Sequence, residues 1–224
     1  MTTSKEIVCL ANSIKHGERC IAGIDRQTKE WVRPVSGRSD GAVTEAQRQY
    51  FEGREPQLLD RMSVPLRCAR PKGFQCENWL IDSSWDWVKL GRVGWDVLVE
   101  LEEFPEDLWT AGYPECPHND RVPVRYLSGS AGSLKLVRVD GLEIIRPSGS
   151  KPRVWAEFQY AGLRYKLSVT DPAWRRTVQP GVPRSEKVGE SFLTVSLGEP
   201  FKEFSYKLVA AIMPRADVER GGRA

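Results

Sequence analysis

Hydrophobic residues at the start of the chain fall in three short runs separated by two polar connections. The runs EIVCLAN, CIAGID and EWVRPVS lie between Glu6 and Ser36 and consist largely of β-branched, small and aromatic residues. Such residues suit a pleated, half-buried surface better than a helix. One connection contains His16-Gly17 and the other is RQTK, which suits antiparallel hairpins. The pattern predicts a three-stranded meander whose last strand ends near Pro34, because proline cannot donate to a ladder.

The rest of the first half predicts one short helix and further strands. Thr44 is placed to cap a helix that Gly53 ends. QLLDRMSVPL, at 57–66, predicts a strand limited by Pro65, and 66–82 predicts a loop followed by a short apolar element. In the Trp-rich segment that follows, Val97, Val99 and Leu101 occupy alternate positions, which is typical of a half-buried strand.

The second half begins with the linker-like SGSAGS at 128–133 and is then rich in strand patterns. Asp140-Gly141 predicts a hairpin between LKLVRV and LEII, and Ala161-Gly162 predicts another between VWAEFQY and LRYKLSVT. SFLTVSL and YKLVAAI predict two further strands. The polar tail from Pro214 onward is predicted to be frayed.

Each half therefore contains about five short strands and little helix. The sequence predicts an all-β protein with minor helix, built from two tandem OB-like five-stranded barrels at residues 1–127 and 128–224. The order of meander, helix and further strands favours an OB barrel over an immunoglobulin-like sandwich. The low helical content argues against a doubly wound α/β enzyme.

Charge and composition add expectations about partners and compartment. The 224 residues carry a net charge of +3, divided as 17 Lys+Arg against 20 Asp+Glu in residues 1–127 and 16 against 10 in residues 128–224. This division predicts that a polyanion would mainly meet the second half. No apolar run reaches the roughly 20 residues of a membrane helix, and no signal-peptide pattern is present. The chain has five cysteines, an odd number that cannot all pair in disulfides within the chain. We therefore expect a reducing, cytoplasmic setting and no membrane partner.

A series of segments resembles a known bacterial family. EIVCLANSIKHGERCIAGI, EWVRPVS, QLLDRMSVPL, QCENWLID, YKLSVTDPAW and YKLVAAIM together resemble, in order, the family described as the dual OB-containing domain. The resemblance runs from about Lys5 to Met213. It implies two tandem OB barrels and, by analogy with other OB folds, nucleic-acid binding. It implies no catalytic residues.

Cationic, polar or aromatic side chains occur together in the first connection, two residues apart on one face of the third run, and at the end of LRYKLSVT. This gives ten candidate nucleic-acid contacts: Asn12, Lys15, His16, Arg19, Trp31, Arg33, Asp171, Trp174, Arg175 and Arg176. The cations suit phosphates and the tryptophans suit stacking on bases. The alternatives are a solvated turn at 12–19, a buried Trp31 with Arg33 at the rim, and a purely structural Asp171. The last alternative is favoured for Asp171.

Catalytic and metal-binding signatures are weak. Cys68, Cys76, Cys116 and His118 lack the usual spacing of zinc ligands, and the sequence contains no Walker A loop, GxGxxG, HExxH or GxSxG. We expect no metal and no cofactor. The sequence favours a non-enzymatic protein that binds nucleic acid, single-stranded rather than duplex. Two alternatives stay open: a module that docks a partner protein, and an enzyme that acts on a nucleotide or nucleic acid.

Overall fold

The computed structural model describes residues 2–15, 17–110, 118–127, 129, 132–147, 153–176 and 184–221, without the side chains of Lys15 and Arg176. The chain divides into two compact units. Unit 1 comprises Met1–Leu101 and Gly129–Ser133, and unit 2 comprises Glu102–Ser128 and Leu134–Ala224. The division after Leu101 differs from the one we expected at 127/128.

The new boundary changes the distribution of charge. Unit 1 carries 15 Lys+Arg and 14 Asp+Glu, a net of +1, and unit 2 carries 18 and 16, a net of +2. The acidic residues at 102–127 belong to the same unit as the cationic C-terminal residues. The expected contrast between an acidic half and a basic half therefore does not hold for the two units, and any preference for a polyanion must come from local surfaces.

The strands of unit 1 close into a ring. Its elements are β1 (Thr3–Lys15), β2 (Glu18–Asp25), β3 (Trp31–Val35), α1 (Glu45–Arg48), β4 (Asp60–Ala69), β5 (Asn78–Ile81), β6 (Val88–Arg92) and α2 (Trp95–Leu101). The pairing order is β1-β2-β3-β5-β4, and β4 pairs back with β1. The β3–β5 pair is parallel, whereas the others in the ring are antiparallel. This is a closed five-stranded OB barrel, to which β6 is added beside β4.

Unit 2 repeats the same ring. Its elements are β7 (Arg121–Pro123), a 3₁₀ turn (Val124–Tyr126), β8 (Leu134–Arg146), β9 (Trp155–Tyr160), β10 (Leu163–Val169), α3 (Pro172–Arg176), β11 (Arg184–Leu197), β12 (Phe204–Pro214) and α4 (Arg215–Gly221). The pairing order is β8-β9-β10-β12-β11, and β11 pairs back with β8. The β10–β12 pair is parallel, and β7 is added beside β12. The predicted tandem OB-like barrels are confirmed.

Each barrel is filled by alternate apolar residues of its own strands. In unit 1 the buried cluster consists of Ile7, Cys9, Ile21, Val32, Val43, Tyr50, Met62, Val64, Leu66, Ile81 and Trp87. In unit 2 the rings of Phe158 and Tyr165 stack with their centroids 5.5 Å apart, among buried residues of β8, β11 and β12. Alternation along a strand places every second side chain inside, which explains why the sequence pattern predicts these strands.

Two local predictions depend on short turns and have opposite outcomes. Ala161 and Gly162 join β9 to β10 with φ of 48° and 76°, as a two-residue hairpin turn requires. The predicted hairpin is confirmed. At Asp140-Gly141 the chain does not turn, because both residues lie inside the continuous strand β8. Gly141 is not among the glycines with positive φ. The prediction of a hairpin at Asp140-Gly141 is therefore wrong.

Three other predictions are corrected. The residues from Val97 to Leu101 form part of helix α2, not a strand, and the buried pair Leu98 and Leu101 is spaced for one helical face. Strand β4 continues through Pro65 to its end at Ala69. The tail after Pro214 forms helix α4.

The helix predicted after Thr44 exists but is shorter than expected. It ends at Arg48, before Gly53, because Gln49 has an extended backbone with ψ of 144°. At its start, the backbone N–H of Thr44 donates to Oε1 of Gln47 over 3.1 Å, which is half of a capping box. None of the helices among the described residues is long and apolar enough to cross a membrane.

We expect Gly23→Ala to destabilise unit 1 strongly. Gly23 lies in β2 opposite Cys9, and a Cβ atom there would come within 2.1 Å of the backbone oxygen of Val8. The ring strands would have to move apart, which should lower the free energy of unfolding by about 3 kcal/mol. Urea denaturation followed by circular dichroism measures this change. Gly37→Ala is the matched control, because a Cβ at Gly37 meets nothing within 4 Å; equal stability of the two variants would contradict the prediction.

Candidate nucleic-acid interface

The candidate contacts in the first connection are mostly used inside unit 1. Asn12 Nδ2 donates to the carbonyl oxygen of Pro56 over 2.7 Å. Arg19 is half-buried, and its Nε lies 4.0 Å from the Glu55 carboxylate, which also pairs with the buried Arg48. These contacts hold the connection against the helical side of the barrel. The Lys15 side chain and His16 lie outside the described residues.

Arg33 is a correction to the predicted interface. Its side chain is buried, with 6% of the residue exposed, and Nη2 lies 2.9 Å from Oε1 of Glu77. Nη2 also donates to Oγ of Ser133 over 2.8 Å. Arg33 is thus neutralised within unit 1 and is not an exposed phosphate contact. Trp31, two residues earlier on the same strand face, is half-buried.

The second predicted cluster, at the end of β10, is partly structural. Asp171 is buried, and its carboxylate accepts bonds from the backbone N–H of Ala173 (2.9 Å) and of Ile212 (3.1 Å). It fixes the start of α3 against β12, in agreement with the structural alternative. Trp174 is half-buried with the Arg146 guanidinium 5.9 Å from its ring centroid. Arg175 is exposed, and the side chain of Arg176 lies outside the described part of the chain.

A different part of unit 2 exposes rings and cations together. We call it the aromatic surface, and it consists of Arg121, Arg125, Tyr126, Phe201, Lys202, Phe204 and Tyr206. Strand β7 pairs with β12 so that Arg121 lies opposite Tyr206. The Val124 N–H donates to the Glu203 carbonyl over 2.9 Å, which brings the 3₁₀ turn beside the connection between β11 and β12. Residues about 80 positions apart in sequence therefore share one surface.

The connection from β11 to β12 is a tight, well-bonded turn. The Phe201 N–H donates to the Phe204 carbonyl over 2.8 Å, and the Phe204 N–H donates back over 3.3 Å. Lys202 has a positive φ of 58°, which lets the chain reverse between the two phenylalanines. The turn holds the Phe201 ring out in solvent, with 62% of the residue exposed.

Cations lie over each ring of the aromatic surface. The Arg121 guanidinium is 5.4 Å from the Phe204 ring centroid and 5.8 Å from that of Tyr206. Arg125 lies 5.0 Å from the ring of Tyr126, and Lys202 lies 5.7 Å from that of Phe201. Such pairs orient both partners. Tyr126, at 49% exposure, and Phe201 are the two rings most available for stacking.

Acidic groups reduce the net charge of the aromatic surface. Asp120 Oδ1 lies 3.5 Å from Nε of Arg121, and Glu203 is exposed beside Lys202. The surface therefore offers more ring area than net positive charge. A flat π-system such as a nucleobase suits this chemistry, since stacking on an aromatic ring contributes about 1–3 kcal/mol per base.

No residue of the aromatic surface is among the contacts predicted from the sequence. The available signal is GEPFKEF at 198–204, in which a ring and a cation adjoin in a short connection between two strands. The Arg121–Tyr126 part carries no comparable local pattern. It joins the surface only through the β7–β12 pairing.

The buried Asp60 carboxylate of unit 1 is engaged by internal partners. The Asp60 carboxylate accepts from the Tyr50 hydroxyl and the Gln57 N–H, each over 3.0 Å, and pairs with Lys89 at 2.5 Å. Burial and the charge of Asp60 raise the pKa of the Tyr50 hydroxyl. With both carboxylate oxygens engaged, this group supports the strand β4 rather than a reacting ligand.

Metal-ligating residues do not gather in the described part of the chain. No group of three or more His, Cys, Asp or Glu side chains there could hold a metal ion. Cys68 and Cys76 are exposed free thiols, and Cys116, the remaining cysteine of the weak zinc pattern, lies outside the described residues.

Comparison with known proteins gives one family. The sequence matches the family described as dual OB-containing domain over residues 5–212. Searches of curated proteins and of solved structures gave no significant match. The match covers most of both barrels and is consistent with the ring topology found in each unit.

We expect Arg33→Ala to lower stability, because it leaves the Glu77 carboxylate buried without its cation. Removing one partner of a buried ion pair costs about 3–5 kcal/mol. Thermal and urea unfolding measure this effect. Arg175→Ala is the comparison, since an exposed arginine changes stability by no more than about 0.5 kcal/mol. If Arg33→Ala left the unfolding midpoint unchanged, the internal role of Arg33 would be refuted.

Proposed function

Because the chain belongs to the dual OB-containing domain family, we propose that it binds single-stranded nucleic acid, with the aromatic surface of unit 2 as the base-stacking site. OB barrels commonly bind oligonucleotides at the second and third strands and at the loops that join strands one and two and strands four and five. Phe201 and Lys202 lie in the four–five connection of the unit 2 ring. The observation that carries the proposal is the placement of exposed rings and cations at this connection.

The geometry of the surface favours a single strand over a duplex. Tyr126 and Phe201 present ring faces, and a base can stack on them only when its own face is uncovered. In a duplex the faces of the bases are occupied by their neighbours in the stack. A single strand can turn its bases toward the rings, and Arg125 and Lys202, which lie 5.0 and 5.7 Å from the centroids of those rings, would then contact its backbone phosphates.

The end of β10 contributes a second proposed contact in unit 2. Arg175 is exposed on the short helix α3, next to the half-buried Trp174. We retain Arg175 and Arg176 as phosphate contacts, with Lys15 as a further one in unit 1. Arg33 and Asp171 are left out of the proposed interface because their side chains are buried and bonded internally.

Docking of a partner protein is a second candidate function, favoured by exposed apolar residues in unit 1. Phe51 is 84% exposed and Trp85 is 67% exposed. Phe51 and the exposed Val88 each follow one of the two residues joined by the backbone bridge between Tyr50 and Trp87. If Phe51→Ala leaves the affinity for an oligonucleotide unchanged, these exposed apolar residues have some other role than nucleic-acid contact.

We expect Phe201→Ala and Tyr126→Ala each to weaken binding of a fluorescein-labelled single-stranded oligonucleotide by between about 5-fold and about 100-fold. The reason is the removal of one stacking ring, worth about 1–3 kcal/mol. Fluorescence anisotropy at fixed salt measures the Kd.

Phe104→Ala is the matched control for these two variants. Phe104 is a 78% exposed aromatic residue of the same unit that is not part of the aromatic surface. An equal weakening for Phe104→Ala, or no weakening for the other two variants in a wild type that binds, would count against the assigned surface.

The double variant Arg175→Ala/Arg176→Ala should bind more weakly at low salt, and the difference should shrink as salt rises. Contacts between cations and phosphates release counterions, so their contribution falls with ionic strength. A salt series of anisotropy titrations tests this. Arg164→Ala/Arg220→Ala removes the same charge from two other exposed positions of unit 2; identical behaviour of the two double variants would remove Arg175 and Arg176 from the interface.

A further inference from the structure

The four–five connection of unit 1 has a different chemistry from that of unit 2. It follows β4, and the seven consecutive residues Arg67–Gly73, from the end of that strand into the connection, are all exposed. This segment, the basic loop, contains the cations Arg67, Arg70 and Lys72 and no acid. Its position in the ring corresponds to that of Phe201 and Lys202 in unit 2.

The acid nearest in sequence is turned away from solvent. Glu77 is 5% exposed and is neutralised by Arg33, with the N–H and Oγ of Ser133 bonding to its carboxylate. A negative charge that would otherwise lie beside the three cations is therefore compensated inside the unit. Because Glu77 is buried against Arg33, its charge does not offset the exposed cations of the basic loop.

The backbone of the basic loop is held by hydrogen bonds. The Arg70 N–H donates to the Asn78 carbonyl over 2.7 Å. Lys72 and Gln75 exchange backbone bonds of 3.2 and 3.1 Å, and Phe74 beside them is buried. A cation on a fixed backbone loses less freedom when it binds an anion than one on a flexible segment does.

Arg67 is partly compensated by an acid of unit 1. Its Nη2 lies 3.1 Å from the Asp82 carboxylate, which also accepts from the Thr2 hydroxyl at 2.5 Å and the Ser84 N–H at 3.1 Å. These hydrogen bonds, with that from Thr2 the largest cause, lower the pKa of Asp82. Asp82 is therefore charged at neutral pH and competes with an external anion for Arg67. The test uses the other two cations of the loop, Arg70 and Lys72, which are both exposed.

The basic loop offers no ring for stacking. Phe74 is buried, and Trp79 on the neighbouring β5 is half-buried, with Nζ of Lys5 4.6 Å from its ring centroid. A nucleic acid that meets this loop would find positive charge but no exposed aromatic residue within it. Contacts of this kind position a strand without reading its bases.

We propose that the basic loop of unit 1 is a second nucleic-acid contact that binds phosphates only, so that the two OB barrels divide the work. Unit 1 supplies a salt-dependent contact that is indifferent to the bases, and unit 2 supplies base stacking in addition to its own phosphate contacts. The inference rests on the proposed function, since it concerns how the protein binds nucleic acid.

The test compares the slope of log K against log salt for three proteins. Removing one cation–phosphate contact with a single strand should flatten the slope by about 0.7, so Arg70→Gln/Lys72→Gln should flatten it by about 1.4 relative to wild type. Tyr126→Ala/Phe201→Ala should weaken binding by at least about 10-fold with little change in slope. An abasic oligonucleotide should distinguish the two double variants further. Arg70→Gln/Lys72→Gln should weaken its binding, whereas Tyr126→Ala/Phe201→Ala should not.

Lys29→Gln/Arg54→Gln is the matched control, because it removes two exposed cations of unit 1 from other connections. Equal flattening in this control, or an unchanged slope for Arg70→Gln/Lys72→Gln when the wild type binds with a clear salt dependence, would overturn the inference and leave the proposed function standing. Absence of oligonucleotide binding by the wild type at any salt would overturn both. Equal unfolding midpoints for all variants establish that binding, and not folding, is compared.

Discussion

Closure of each strand ring is the constraint on which the rest of the structure depends. In unit 1 the parallel pairing of β3 with β5 joins Arg33 to Asn78, and in unit 2 the pairing of β10 with β12 joins Ser168 to Leu208. A five-stranded sheet that closes on itself has no free edge within the ring. Once the fifth strand lies between the third and the fourth, the connection that precedes it is held at one end of the barrel. Both the basic loop and the turn at Phe201 owe their fixed positions to this pairing.

The same ring supports two loops of different chemistry because closure constrains the backbone and leaves the loop side chains open. Phe74 turns inward in one connection and Phe201 turns outward in the other. The fold therefore explains where a ligand could be met, while the loop sequence decides what kind of ligand contact is made. This is why function has to be argued from the side chains at each connection and not from the barrel.

Much of the fold could be predicted from the sequence, because strand alternation and turn residues are local signals. The turn at Ala161-Gly162 is predicted correctly since the strands on both sides alternate and pair at once across it. Asp140-Gly141 carries the same kind of signal but lies within a strand that pairs with β11 on both sides of the dipeptide. Tertiary pairing overrides local preference there. At Val97–Leu101 a run of mixed apolar and acidic residues fits both periods, and burial of Leu98 and Leu101 decides for the helix.

The candidate site is much less predictable, because it depends on contacts between distant residues. The two-residue spacing of Arg33 from Trp31 favours exposure of both side chains. Only the folded structure shows that the Glu77 carboxylate lies against the Arg33 guanidinium. Asp171 can be recognised as a turn residue from its neighbours alone. The aromatic surface needs β7 to pair with β12, and three residues of β7 are too short a strand to be detected from sequence. The family resemblance anticipates the architecture, whereas the positions of the rings come from the pairing register.

The return of the chain to unit 1 at Gly129–Ser133 affects how the protein is completed during its synthesis. Ser133 supplies two of the hydrogen bonds that hold the Glu77 carboxylate, yet it is made after the acidic residues at 102–127 that belong to the other barrel. A nascent chain can therefore close the strand ring of unit 1, whose last strand ends at Ile81, before the Glu77 carboxylate receives its two hydrogen bonds from Ser133. The first residues of unit 2 are therefore synthesised before the last residues of unit 1.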